Sequence, residues 1–227
     1  MSSPIYCLGA VFVEVFVAVL VGLGSSAQIA LIGGMARVRS APESTFTSMM
    51  ATLAGIARAI TREVAQQVRE RKRIFSTGNA PAVAQDVQVQ QVVGEVSALA
   101  YAAEATAIRA TFAAQRAYDA HWAGDAEQER QANIEAELES AQGQVAISDF
   151  VLRAATQFFN ALSASATASS KSLDRHWRNA RTVASHNPLI YKARIVGDWH
   201  INGTEPPYVW QIGTGSGAAA QPVAKAA

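Results

Sequence analysis

Apolar residues recur at helical spacing along most of the chain, and the interruptions between the runs are short. Phe46, Met49, Met50, Leu53, Ile56, Ile60, Val64 and Val68 form a single stripe, which predicts an amphipathic helix from about Ser44 to Phe75. Ser76-Thr77-Gly78-Asn79-Ala80-Pro81 closes it with turn formers. A second stripe (Val89, Val92, Val93, Val96, Leu99, Ala103, Ala107) runs on toward Trp122, its spacing outweighing the mediocre helix propensity of valine. Gly124 then ends that helix, and Asp125 offers an N-cap to the next. The third helix has the most regular pattern: Leu138, Val145, Leu152 and Phe159 stand seven apart, with apolar or small residues on the intermediate turns. After a Ser/Ala-rich crossing, 163–172, a short helix is predicted from Leu173 to about His186, because Pro188 disfavours helical geometry at Asn187. Helices joined by short breaks predict an all-α antiparallel helical bundle.

The two ends differ from this pattern. Residues 10–23 are apolar apart from Glu14, and a second apolar stretch spans 27–35. No basic residue precedes them, which argues against a secretory signal. Glu14, the Gly24-Ser25-Ser26 break and positive charge only on the C-terminal side argue against a membrane anchor. Residues 1–43 are therefore expected to be an apolar N-terminal extension, 44–212 the bundle, and the low-complexity run 213–227 a disordered tail.

Composition narrows the function classes. Nineteen Lys and Arg against eighteen Asp and Glu give a net charge of +1, which disfavours a general nucleic-acid binder. One cysteine, Cys7, excludes an intrachain disulfide framework and a Cys-cluster metal site, so a reducing cytoplasm is the expected location. Six acids between Asp125 and Glu139 sit toward the positive end of the third helix. With no His or Cys at ligand spacing they read as a solvated face, and no metal site is expected. P-loop, GxGxxG, HExxH and GxSxG elements are all missing from the sequence.

Candidate chemistry concentrates in Leu173-Asp174-Arg175-His176-Trp177-Arg178-Asn179-Ala180-Arg181-Thr182-Val183-Ala184-Ser185-His186-Asn187-Pro188. This run resembles the C-terminal signature of two-component flavin monooxygenases on the acyl-CoA dehydrogenase fold, in particular the branch that oxidises dibenzothiophene-like sulfur. The resemblance covers about residues 45–210 and implies the helical C-terminal domain of that fold, which assembles subunits and covers part of the flavin. No run of alternating β-branched strands in residues 1–44 matches the family's middle β-domain, and no N-terminal helical domain is found. By resemblance, those parts carry most of the flavin and substrate contacts, so the chain reads as a truncated form.

In acyl-CoA dehydrogenases an Arg-Asp-Ala-Lys/Arg segment precedes the catalytic Glu. Here Arg178-Asn179-Ala180-Arg181 precedes His186 at nearly that spacing, and no carboxylate lies between Asp174 and Asp198. A dehydrogenase needs a base for the proton α to a thioester. An oxygenase needs a group that hydrogen-bonds to oxygen activated on the flavin, and imidazole can do this near neutral pH. His186 is accordingly the candidate catalytic residue; the competing reading is a helix-terminal dipole partner. His176, on the face of Asn179 and Ala180, is expected to pack or hydrogen-bond. Arg175, Arg178 and Arg181 are expected to pair with the acidic start of the third helix or to reach a phosphate.

A second basic cluster, Arg69-Glu70-Arg71-Lys72-Arg73-Ile74-Phe75, has the plain reading of cations at a helix C-terminus. The family carries an Arg-x-x-Phe element there, with the Arg on the flavin pyrophosphate; this chain offers Arg71-x-x-x-Phe75 or Arg73-x-Phe75. The resemblance thus implies Arg71, Arg73, Phe75, Arg178 and Arg181 as cofactor-binding residues. It implies reduced FMN, or FAD, supplied by a separate flavin reductase, and a small aromatic or organosulfur substrate. It also implies a homo-oligomer, dimer or tetramer, in keeping with apolar positions in excess of one core. A non-catalytic oligomerisation module and an acyl-CoA dehydrogenase-type oxidoreductase fragment are the alternatives.

Overall fold

A computed structural model describes residues 41–207 and contains five α-helices and no strand among them. These are α1 (Ala41–Glu70), α2 (Val87–Ala123), α3 (Ala126–Gln157), α4 (Arg175–Ser185) and α5 (Leu189–Asn202). The expected apolar extension up to residue 40 and the expected tail from 213 lie outside the described residues.

The break between α2 and α3 is where Gly124 and Asp125 predict it. Gly124 adopts the left-handed conformation at φ 79°, which a side chain would strain. Asp125 then accepts hydrogen bonds from the backbone N–H groups of Glu127 and Gln128 at 3.0 and 3.1 Å. Asp86 caps α2 through Gln88 N–H and also takes the N–H of Asn79, which ties the α1–α2 loop to the helix start.

The three long helices pack around two apolar clusters. Met50, Leu53, Ala57 and Ile147 belong to one; Ile60, Val64, Val96 and Phe158 belong to the other. α1 and α2 run antiparallel, with Arg58 against Glu104, and so do α2 and α3, with Arg116 against Glu139. The buried face of α2 consists of eight alanines and Val96, so neighbouring backbones lie close to it. At Gly143 on α3 an added Cβ would meet Met50 Sδ at 2.9 Å. A side chain there would oblige the buried Met50 to shift.

Three elements differ from the sequence expectation. α1 begins at Ala41 and ends at Glu70 rather than Phe75. Its buried stripe stops at Val68 while Ile74 and Phe75 are exposed, so no burial rewards further turns. α3 ends at Gln157 and passes into a 3₁₀ turn, Phe158–Ala161, that buries Phe158. α5 lies beyond the last helix that the sequence pattern predicts, which ends near His186. Gly197 faces open space and costs only propensity, and the actual stop is Gly203 at φ 71°.

The acidic start of α3 is a solvated face with one exception. Glu127 pairs with Arg130, Glu129 with His121, and Glu139 with Arg109 and Arg116. Glu137, by contrast, is buried and lies opposite the equally buried Lys192 of α5. Ser140 and Gln144 lie on the same α3 face, and Gln144 Nε2 donates to the Asn187 carbonyl at 3.1 Å. That bond fixes the α4–α5 corner to α3.

Candidate functional site

Two groups of side chains carry the candidate chemistry. The first lies where α1 ends. Once the helix stops at Glu70, Arg71 Nε donates to the Arg73 carbonyl, and Gly78 N–H donates to the Phe75 carbonyl, closing a turn. The Arg71 and Arg73 guanidinium carbons stand 5.4 and 6.0 Å from the centroid of the exposed Phe75 ring. These residues form one wall of an open cleft of about 690 Å³. The crossing after α3 supplies the opposite wall, including Ser163, Ser165 and Lys171. Four cations (Arg71, Lys72, Arg73, Lys171) and one acid, Glu70, line it. Guanidinium forks, an ammonium, hydroxyls and an exposed ring suit a phosphate attached to an aromatic group.

The second group lies on α4. His176 is buried; its Nε2 is 2.7 Å from Glu63 Oε2 on α1, and its ring meets Phe158 edge-on. Arg175 bonds the other Glu63 oxygen. Burial acts to raise the Glu63 pKa, but the His176 and Arg175 hydrogen bonds and charges outweigh it and hold the carboxyl below its ordinary value. His176→Ala would leave a partly buried carboxylate short of a donor. It is expected to cost about 1–3 kcal/mol in urea denaturation. Glu63 is depressed in the fold, so its contribution is complete above the ordinary carboxylate pKa and is lost as pH falls through the lowered one. The variant should therefore show a shallower loss of stability in acid than the parent; an unchanged acid limb would exclude this role.

The arginines of α4 do not reach the acidic start of α3. Arg175 goes to Glu63 and Arg178 to Asp174, one turn away on its own helix. The acids of α3 are taken by arginines on α2 and α3 and by His121, which are nearer. Arg181 is exposed. His186 follows the last turn of α4, its N–H bonded to the Val183 carbonyl, and its side chain is exposed. Arg71, Arg73 and Phe75 are thus gathered in one cleft, whereas Arg178, Arg181 and His186 do not line it. Lys171, Gln67 and the two serines of the cleft carried no sequence signal; only the fold brings the crossing back against the end of α1. His121 and His200 are exposed.

Residues 47–189 match the model of the acyl-CoA dehydrogenase C-terminal domain. The chain belongs to the acyl-CoA dehydrogenase family. Among the relatives of this acyl-CoA dehydrogenase-type chain is a probable FMNH2-dependent monooxygenase, SfnC, of Pseudomonas putida. The two are 30% identical over 152 residues, which is 67% of this chain and 38% of that protein. The methanesulfinate monooxygenase MsuC of Pseudomonas fluorescens superposes with a TM-score of 0.65 at 26% identity, covering 78% of this chain and 43% of that one. Dibenzothiophene monooxygenase TdsC of Paenibacillus sp. A11-2 gives 0.59 at 25% identity, covering 77% and 42%. A further TdsC structure, with FMN and indole, gives 0.60 at 26% identity, covering 77% and 42%. The acyl-CoA dehydrogenase-type domain described here therefore spans less than half the length of these relatives.

Proposed function

We propose that this chain is the C-terminal domain of a reduced-flavin-dependent monooxygenase that oxygenates a small organosulfur or aromatic compound, shortened relative to the complete enzyme. The supporting observation is the cationic cleft lined by Arg71, Arg73 and Phe75; His186 stands apart from it at the end of α4, and its role here rests on the resemblance. The cleft fits the phosphate end of FMN: it gathers several fixed cations, two hydroxyls and an exposed aromatic face. FAD would present the same chemistry to it. Reduced flavin supplies the activation of O2 when bound. Arg71 and Arg73 neutralise and orient its phosphate, and Arg178 and Arg181 add positive charge on α4. The imidazole of His186 holds a proton on a ring nitrogen for delivery to oxygen. A separate flavin reductase, a cytoplasmic location and self-association into a dimer or tetramer belong to this reading. It is also supported by the names of the relatives, three of which are monooxygenases.

Among the described residues, no helix is long and apolar enough to cross a membrane. The decisive experiment joins this chain to the N-terminal portion of MsuC, adds FMN and a flavin reductase, and follows methanesulfinate and O2 consumption. Product formation beyond that of the MsuC portion alone is expected. Oxygen uptake that yields only hydrogen peroxide would reject the reading.

A further inference from the structure

Buried polar side chains gather where α3 meets α5. Glu137, Ser140 and Gln144 stand three and four residues apart on α3, hence on one face, and all three are more than nine-tenths buried. Lys192 of α5 is buried too, with its ammonium in the field of the Glu137 carboxylate. Gln144 is satisfied at one end only. Its Nε2 donates to the Asn187 carbonyl at 3.1 Å, while its Oε1 is buried with no hydrogen-bond partner among the described residues. The Ser140 hydroxyl is likewise buried and unpaired. A serine on a helix can bond back to the carbonyl four residues earlier, as Ser148 does to Gln144 at 2.7 Å. Ser140 leaves that recourse unused. Two orphaned polar atoms one turn apart are costly, because each forfeits the hydrogen bonds it makes with solvent in the unfolded chain.

We infer that this niche is a binding site for one internal water molecule, which joins Ser140 Oγ to Gln144 Oε1. An amide oxygen only accepts, so the occupant must donate to it; the serine hydroxyl can do either. Residues four apart on a helix have Cβ atoms about 5–6 Å from each other, so a molecule as small as water can touch both groups at about 2.8 Å. Charge excludes the other small occupants. A cation would lie beside the Lys192 ammonium, and an anion beside the Glu137 carboxylate and against the amide oxygen. A neutral donor suits a niche whose own charges are opposite, and a lining with several polar partners is what retains water inside a protein. The water completes the Gln144 amide, which is then held at one end by the α4–α5 corner and at the other by α3.

The test uses the full chain. A crystal structure that shows ordered solvent is expected to place one density peak within hydrogen-bond distance of both Ser140 Oγ and Gln144 Oε1. In solution, the Gln144 side-chain amide protons should give a cross-peak to water with the sign of a long-lived contact. Urea denaturation of Ser140→Ala adds a test of sign. With the water in place, the variant takes away one of its partners and should lower the folding equilibrium constant about threefold to tenfold. With Ser140 a true orphan, deleting its oxygen relieves an unmatched buried group and the constant should rise. Three results would each overturn the inference: no solvent peak at that position, a direct Ser140–Gln144 hydrogen bond that closes the niche, or a Ser140→Ala chain at least as stable as the parent.

Discussion

His186→Ala, placed in the chain joined to the N-terminal portion of MsuC, is expected to lower coupled oxygenation by about 10²- to 10⁴-fold, the range for a lost acid–base group. Two structural features fix the backbone around the imidazole. His186 sits at the last turn of a helix whose other end is fixed by the bonds from Arg175 and His176 to Glu63. The peptide that follows it is held by Gln144 through the Asn187 carbonyl. The chain on both sides of the histidine is therefore anchored while its side chain stays exposed. In the variant, oxygen consumption should continue while product falls, the difference appearing as hydrogen peroxide. His176→Ala should act on stability and leave the ratio of product to oxygen intact in whatever fraction stays folded. If His186→Ala keeps full coupling and His176→Ala loses it, the two roles are exchanged.

The largest effect on stability is expected at the pair joining α3 to α5. Lys192 is 1% exposed, and burial lowers its pKa to about 8, against the opposing pull of Glu137. Glu137→Ala would leave a buried ammonium without its countercharge, a change that typically costs about 3–5 kcal/mol. The double variant Glu137→Leu/Lys192→Met should recover most of the loss, because replacing a whole buried pair by apolar groups is often neutral. Urea denaturation of parent, single and double variants checks this. Equal losses in single and double would show that the two side chains are not coupled. The pH dependence has a definite sign. Between about 8 and the ordinary lysine value of 10.5, the unfolded chain still holds a proton that the folded chain has released. Stability from this group therefore rises with pH across that window, and Lys192→Met in the double variant should flatten the rise.

What could be read in the sequence was local. The stripe from Met49 to Val68, the Gly124-Asp125 break and the Pro188 stop each act within a few residues, and the helices follow them. α5 escaped because Gly197 and a buried lysine interrupt its pattern, and its support comes from α3, fifty residues earlier. Glu137 escaped for the same reason: in a run of acids only the partner across the interface distinguishes the buried one. Arg71, Arg73 and Phe75 were legible as a cluster because they are adjacent in sequence. Lys171 and Ser163 on the facing wall were not, since roughly ninety residues separate them from the end of α1.

The alanine face of α2 also determines how this fold responds to sequence drift. In an ordinary core the damaging changes are truncations, since large side chains leave holes behind. Here eight of the nine buried positions on the central helix have only a methyl group to lose, while Gly143 has nothing. Erosion by shortening is cheap along this seam; every added carbon instead pushes two backbones apart. The tolerance of this bundle is therefore one-sided: enlarging the buried alanines between Ala100 and Ala120 threatens it more than trimming them does.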